Sequence, residues 1–267
     1  ATSALAIQWF GAQMRKSAAE MADLFTKYRL SEALMEVYRL FWDEFSSWYL
    51  EMVKPAYQQP IDATTYAATI GFFDDLLHLL HPFMPFISEE LWQHIDERKE
   101  GESISVSPQN IAAPLADDAQ LITDIEHIKG IISGVRAARA QKGLSPREAL
   151  PLSMVGDNQF VAYDQLLIKM ANISELTSVA EAQGAGYSTF MVGTTQYGLY
   201  LGDVVDVEAE KEAARAELEH LRRFLKSIQS KLSNERFVSG APEAVVALER
   251  KKEADTLAKI AALEAKL

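Results

Sequence analysis

Apolar residues recur every three or four positions along most of the first 140 residues, the period of helices buried on one face. Ile7, Phe10, Met14, Ala18, Met21, Leu24 and Tyr28 predict a first helix over 4–28. Leu34, Val37, Phe41, Phe45, Trp48 and Met52 predict a second over 31–54, closed by Pro55. Asp62 stands where an N-cap belongs, ahead of a third helix bearing Tyr66, Ile70, Phe73, Leu77 and Leu80. His81-Pro82-Phe83-Met84-Pro85 interrupts the pattern, and Pro85 suits the first turn of a fourth helix with Ile87, Leu91 and Ile95 inside. Beyond a polar loop over 97–118, Ile125, Ile128, Ile132 and Val135 mark a fifth. Long helices with short connections predict an antiparallel helical bundle over 1–143.

From 144 the texture changes. Ser145-Pro146-Arg147-Glu148 has the form of a capping box, but Pro151 limits any helix there to one turn. Leu150, Leu152 and Met154 alternate as in a strand, and Phe160 to Met170 reads as a helix. Thr189–Val192 and Tyr197–Leu201 read as a hairpin around Gly193–Gln196. These features predict a small α/β module over 144–205. From 206 the pattern returns to helix. Val207, Lys211, Ala214, Leu218, Leu221, Leu225, Ile228 and Leu232 alternate four and three apart, a coiled-coil seam. The segment 234–242 breaks it, and Leu257, Ile260, Leu263 and Leu267 line a second helix whose first half is poorly patterned. The region 206–267 is thus an antiparallel coiled-coil hairpin, an arm about 44 Å long at 1.5 Å per residue. The whole reads as mainly α: bundle, α/β module, arm.

Charge adds a feature that periodicity does not show. The chain holds 26 Lys+Arg against 38 Asp+Glu, a formal charge of −12. Residues 206–267 are balanced, with 12 of each sign, so the acidic excess lies in the body. Between Lys129 and Arg147, however, there are five basic residues and no acidic one. An unmixed basic window in an acidic protein offers itself to an anion. The apolar stripe of the fifth helix runs into Arg139, flanked by Arg136, with Lys142 and Arg147 beyond. The bland reading is that cations favour the last turn of any helix through its dipole, with Gly143 an ordinary stop. In the arm, Arg222-Arg223-Lys226 and Arg250-Lys251-Lys252 are local basic clusters on what is otherwise a solvated face.

Chemistry of other kinds is thinly represented. There is no Cys, which excludes disulfides and thiolate metal sites and fits a reducing compartment. No apolar run approaches the roughly 18 residues that span a bilayer, and the first residues have the look of a chain cut from inside a helix. His78 and His81 lack further ligands at metal spacing, so packing or capping is their expected role and no metal site is expected. Asp74-Asp75 and Glu89-Glu90 are adjacent, so their members point to different faces and make poor acid–base pairs. No phosphate loop and no nucleophile motif occurs. No catalytic residue is expected.

Four stretches together resemble the class I aminoacyl-tRNA synthetases. Leu79-Leu80-His81-Pro82-Phe83-Met84-Pro85-Phe86-Ile87-Ser88-Glu89-Glu90-Leu91-Trp92 looks like the signature of the anticodon-binding helical domain of the valyl, isoleucyl and leucyl enzymes. Phe45-Ser46-Ser47-Trp48-Tyr49-Leu50-Glu51 resembles that domain's second helix, and Val135-Arg136-Ala137-Ala138-Arg139 with Leu144-Ser145-Pro146 its IRxxR…SP stretch. Leu232 to Val246 looks like the C-terminal arm of the valyl enzymes, with Arg236 where that family often has Gly. The HIGH and KMSKS motifs of the catalytic domain are missing, so this chain would be inactive alone. The resemblance implies a tRNA-binding part of a cytoplasmic, monomeric ligase whose ATP and magnesium belong to a separate catalytic domain, beside an editing domain of the same parent chain. Its partner would be tRNA, valine-accepting in the first instance. Arg136, Arg139, Lys142 and Arg147 would meet the anticodon stem-loop. Arg215, Arg222, Arg223, Lys226 and Lys251 would meet the outer corner of the tRNA. The alternatives are an isoleucyl or leucyl relative, or a coiled-coil scaffold that binds proteins and ignores RNA.

Overall fold

In a computed structural model the chain is 65% helical, with one four-stranded mixed sheet and a C-terminal pair of helices in contact, as the mainly α reading expects. Residues 2–109, 111–181, 184, 186–201, 207–234 and 242–264 are described, with main chain only for 207–214 and 243. The chain divides into two compact units, Ala1–Glu126 and His127–Leu267.

The first unit is organised around an aromatic core. Helix α1 (Thr2–Thr26) buries Trp9, Phe10, Met14, Met21 and Leu24. Next comes one unbroken rod: α2 (Leu30–Arg39), a π-helical stretch (Leu40–Tyr49) and α3 (Leu50–Val53). The π geometry is visible in the hydroxyls. Ser46 Oγ donates to the Phe41 carbonyl and Ser47 Oγ to that of Trp42, each five residues back. The wider turn rotates the buried stripe. Tyr49 is fully buried in place of the expected Trp48, while Leu34 and Trp42 stay exposed. Phe10 sits among Phe45, Tyr49 and Phe72, with ring centroids 5.0–5.3 Å apart. Such contacts add to burial by about 0.5–1.5 kcal/mol per pair.

Asp62 caps α4 (Ala63–Leu80) as expected, its carboxylate accepting from the Thr65 N–H at 2.9 Å and the Thr65 hydroxyl at 2.7 Å. Helix α5 (Pro85–Ile95) opens on Pro85. Its inner face is Ser88 and Trp92 with Leu91 and Ile95 partly buried, whereas Ile87, expected inside, is exposed. The His81–Trp92 stretch works as a clamp. His81 bridges the Ser88 and Ser105 hydroxyls, and Glu89 accepts from Ser103 and the Ile104 N–H, so the loop after α5 is drawn onto the α4–α5 turn. Trp92, Leu77 and Ile104 then form a small core, covered by Arg98, which lies 3.8 Å over the Trp92 ring and pairs with Asp74.

Helix α6 (Asp118–Gln141) contributes its first residues to this unit and the rest to the second. Asp118 is anchored by Arg15 of α1 through a two-pronged contact of 2.6 and 2.7 Å. In the second unit, β1 (Leu150–Val155) leads through α7 (Asp164–Ala171) to β2 (Ile173–Val179), parallel to β1. The hairpin β3 (Tyr187–Val192) and β4 (Thr195–Tyr200) completes a sheet of order β2-β1-β4-β3. Its turn is tighter than expected, pairing Val192 with Thr195 around Gly193 at φ +58°. Helices α8 (Val207–Leu232) and α9 (Glu243–Glu264) form the C-terminal pair.

The Arg15 guanidinium holds the Asp118 carboxyl below the usual carboxylate range, so this tie stabilises above about pH 4 and fades as pH falls through the folded-state value. Asp118→Asn is expected to cost about 1.5–3 kcal/mol at pH 7 in urea denaturation. The difference from wild type should shrink below pH 4; a difference independent of pH would contradict the ion-pair origin.

Candidate nucleic-acid interface

The apolar face of α6 is laid down as its spacing predicts. Ile125, Ile128, Ile131, Ile132 and Val135 are at most 2% exposed. In the second unit, glycines let β3 approach this helix closely. A Cβ on Gly134 would lie 2.3 Å from the Phe190 ring, and one on Gly130 2.8 Å from Val192. His127 stacks on Phe160 at 4.4 Å and reaches the Tyr197 hydroxyl at 3.1 Å. Burial pushes the Tyr197 phenol up to about 12, so it stays a neutral partner. The C-terminal part of α6 is thereby fixed to the sheet.

At that end the helix stops on Gly143, at φ +63°. The Gly143 N–H donates to the Ala140 carbonyl and the Leu144 N–H to that of Arg139, the paired bonds of a Schellman stop. The four cations expected here diverge in role. Arg136 and Arg147 are exposed and Lys142 is half-buried. Arg136 Nη2 reaches the Met170 carbonyl at 3.4 Å, near the limit for a hydrogen bond.

Arg139 departs from the expectation: it is 4% exposed. Its Nη1 donates to the carbonyls of Ser145 (3.1 Å) and Glu148 (2.6 Å), and its Nη2 to that of Asn172 (2.8 Å). Burial pulls its pKa below the ordinary arginine value, with Glu148 acting the other way. A guanidinium enclosed by main-chain oxygens does not present itself to a phosphate. The capping-box pattern at Ser145 resolves as a turn, with Ser145 Oγ accepting from the Arg147 N–H and no helix following. Asn172, which the sequence reading passed over, is left-handed at φ +50° and donates to the Pro146 carbonyl at 2.9 Å. An Asn at a helix end is a recognisable signal for that conformation.

In the arm, α8 buries Leu218 and Ile228, with Leu221, Leu225 and Leu232 half-buried, and α9 answers with Val246, Glu249, Thr256 and Ile260. Cross-helix contacts run Arg222–Glu264 (2.5 Å), Gln229–Glu253 (3.2 Å) and Lys231–Glu249 (3.7 Å), so one number rises as the other falls: the helices are antiparallel. Leu257, expected in the seam, is 46% exposed, and Thr256 takes its place. The poor pattern of α9 is therefore a polar seam, which favours one register over others. Arg215, Arg222 and Lys226 are spaced seven and four apart, one exposed stripe, with Arg223 beside it and Lys251 exposed on α9. Arg223 approaches Glu219 at 4.0 Å, a weak surface contact. Residues 235–241, part of the stretch that the sequence predicts to break the helix, lie outside the described residues.

Charge divides as sharply as the chain does. Residues 1–126 hold 8 basic and 20 acidic side chains, and residues 127–267 hold 18 of each. The whole formal charge of −12 sits in the first unit. Among the described residues no three His, Asp or Glu side chains converge as a metal site, and no helix is long and apolar enough to cross a membrane.

A family model described as the anticodon-binding domain of tRNA ligase matches residues 8–154, more than half of the chain. The chain belongs to the anticodon-binding family of tRNA ligases. A second model, the valyl tRNA synthetase tRNA binding arm, matches residues 206–267. Among curated relatives, the valine--tRNA ligase of Phocaeicola vulgatus is 53% identical over 97% of this chain and 29% of its own length. That of Bacteroides thetaiotaomicron is 52% identical over 97% and 30%. The more distant valine--tRNA ligase of Mesorhizobium japonicum is 32% identical over 93% and 28%. The chain thus spans about 30% of the length of these relatives, and within the family it corresponds to the C-terminal region of the valyl type.

The polar seam can be tested directly. Glu249→Leu is expected to raise the melting midpoint of the arm's helical signal, since an apolar side chain replaces one that needs two lysines. Register discrimination should weaken, seen as self-association by light scattering. A lower midpoint would show that the Glu249 contacts outweigh apolar packing.

Proposed function

We propose that the chain is the tRNA-holding part of a valine--tRNA ligase, with the cationic end of α6 for the anticodon stem-loop and the arm for the outer corner of the same tRNA. What carries this reading is the double family match: one anticodon-binding model over 8–154 and one tRNA-binding arm over 206–267. The cations support it. Arg136 and Arg147, with half-buried Lys142, stand at the end of α6, and Arg215, Arg222, Arg223, Lys226 and Lys251 are exposed along the arm. Splayed loop bases stack and pair with arginine planes, whereas the arm reads charge and shape. Two weak footholds on one rigid RNA combine, because the second contact is made at high effective concentration. The negative first unit discourages RNA from settling elsewhere.

In this reading the attachment of valine, with its ATP and magnesium, belongs to a catalytic domain outside this chain, next to an editing domain, in a monomeric cytoplasmic parent. The chain itself contributes binding and placement.

Filter binding of tRNA transcripts that differ in anticodon tests the assignment. Valine-accepting transcripts should bind tightest. Arg136→Ala combined with Arg147→Ala should weaken binding about tenfold and lower the slope of log K against log salt by about 1–2. Equal affinity for all anticodons would remove the anticodon role, and an unchanged slope would remove these two residues from it.

A further inference from the structure

We propose that Arg139 is a positioning residue for tRNA binding: from inside the protein it sets the turn that carries Arg147 to the rim. This rests on the tRNA reading above and assigns Arg139 a different part in it from a phosphate contact.

The turn Ser145–Glu148 has four carbonyls, and three are held. Arg139 Nη1 takes those of Ser145 and Glu148, and Asn172 Nδ2 takes that of Pro146. The held carbonyls lie on both sides of Arg147, whose own N–H is fixed by Ser145 Oγ at 3.2 Å. Asn172 is itself secured, because its carbonyl accepts from Arg139 Nη2 at 2.8 Å. One guanidinium therefore ties the end of α6 to the turn and to Asn172, the residue that links α7 to β2. Its main-chain carbonyl does the same for the helix stop, accepting from Lys142 and Leu144.

The side-chain type suits this task. A planar fork with five N–H groups can reach three carbonyls on two segments at once, and no other side chain has that geometry. The charge is met by carbonyl dipoles of the turn and of the C-cap of α7, a helix end that favours a cation. A phosphate could reach this group only by displacing those carbonyls from a site 4% exposed. Arg147, by contrast, is held at the backbone and exposed at the side chain.

The test is a double-mutant cycle on the full 267-residue chain. Arg139→Met keeps the aliphatic stem and removes the donors. It should speed amide exchange over 144–149 at least tenfold without RNA and weaken valine-accepting tRNA binding about three- to tenfold. In an Arg147→Ala background the same change should cost no further affinity, since the residue it positions is gone. A merely structural role would lower affinity equally in both backgrounds. Asn172→Gly guards against a folding defect: it permits the left-handed backbone and removes only the Pro146 tie. It should show the same coupling to Arg147 with a smaller loss. Unchanged exchange over 144–149, or equal losses in both backgrounds, would overturn the positioning role. If Arg147→Ala alone leaves tRNA binding intact, the tRNA reading of the rim falls and this role with it, whereas the exchange data still report on the clamp itself.

Discussion

A buried guanidinium without hydrogen bonds would cost several kcal/mol, so a helix that ends on one must be folded around by something that can accept. At the end of α6 the acceptors are main-chain oxygens from the turn after the helix and from Asn172 at the C-cap of α7. That requirement joins the helix end and the turn after it to Asn172, some thirty residues on, and fixes where the neighbouring cations emerge. The aliphatic face of α6, close against β3 through Gly130 and Gly134, supplies the rigid base. The exposed cations stand beside a guanidinium whose two terminal nitrogens are satisfied inside.

The division of charge gives that rim its meaning. With the formal −12 confined to residues 1–126, the second unit is neutral overall and its cations are not averaged away by a surplus of carboxylates. Within the first unit, several arginines are spoken for: Arg15 by Asp118, Arg39 by Glu36 and Glu44, Arg98 by Asp74. The stretch around His81 follows the same logic. Its residues fasten a loop onto the α4–α5 turn, an architectural task.

Much of the fold was legible because one-sided burial leaves a period. The α6 stripe, the Asp62 cap and the leucines of α8 stand where their spacing places them. The failures have physical causes. Nothing in Leu40–Tyr49 announces a π turn, so the buried face rotated from Trp48 to Tyr49; ahead of it, Ala33 is buried and Leu34 exposed. Strand β2 was missed because, at the sheet's edge, it keeps only Ile173 well buried among polar residues. The seam of α9 hid because Glu249 and Thr256 occupy it, and Leu257 drew attention to the wrong face. At the site, the unmixed basic window marked the region but could not sort its members. Arg136, Arg139 and Arg147 have the same chemistry in sequence; only the fold turns one of them inward.

In the proposed reading, RNA is met by the cations of the second unit, at the end of α6 and along the arm. Mass-spectrometric mapping of ultraviolet crosslinks between the chain and a valine-accepting tRNA tests this most directly. Crosslinks are expected to cluster in two windows, around residues 136–147 and along 215–226. Crosslinks confined to residues 1–126, with neither window marked, would contradict it.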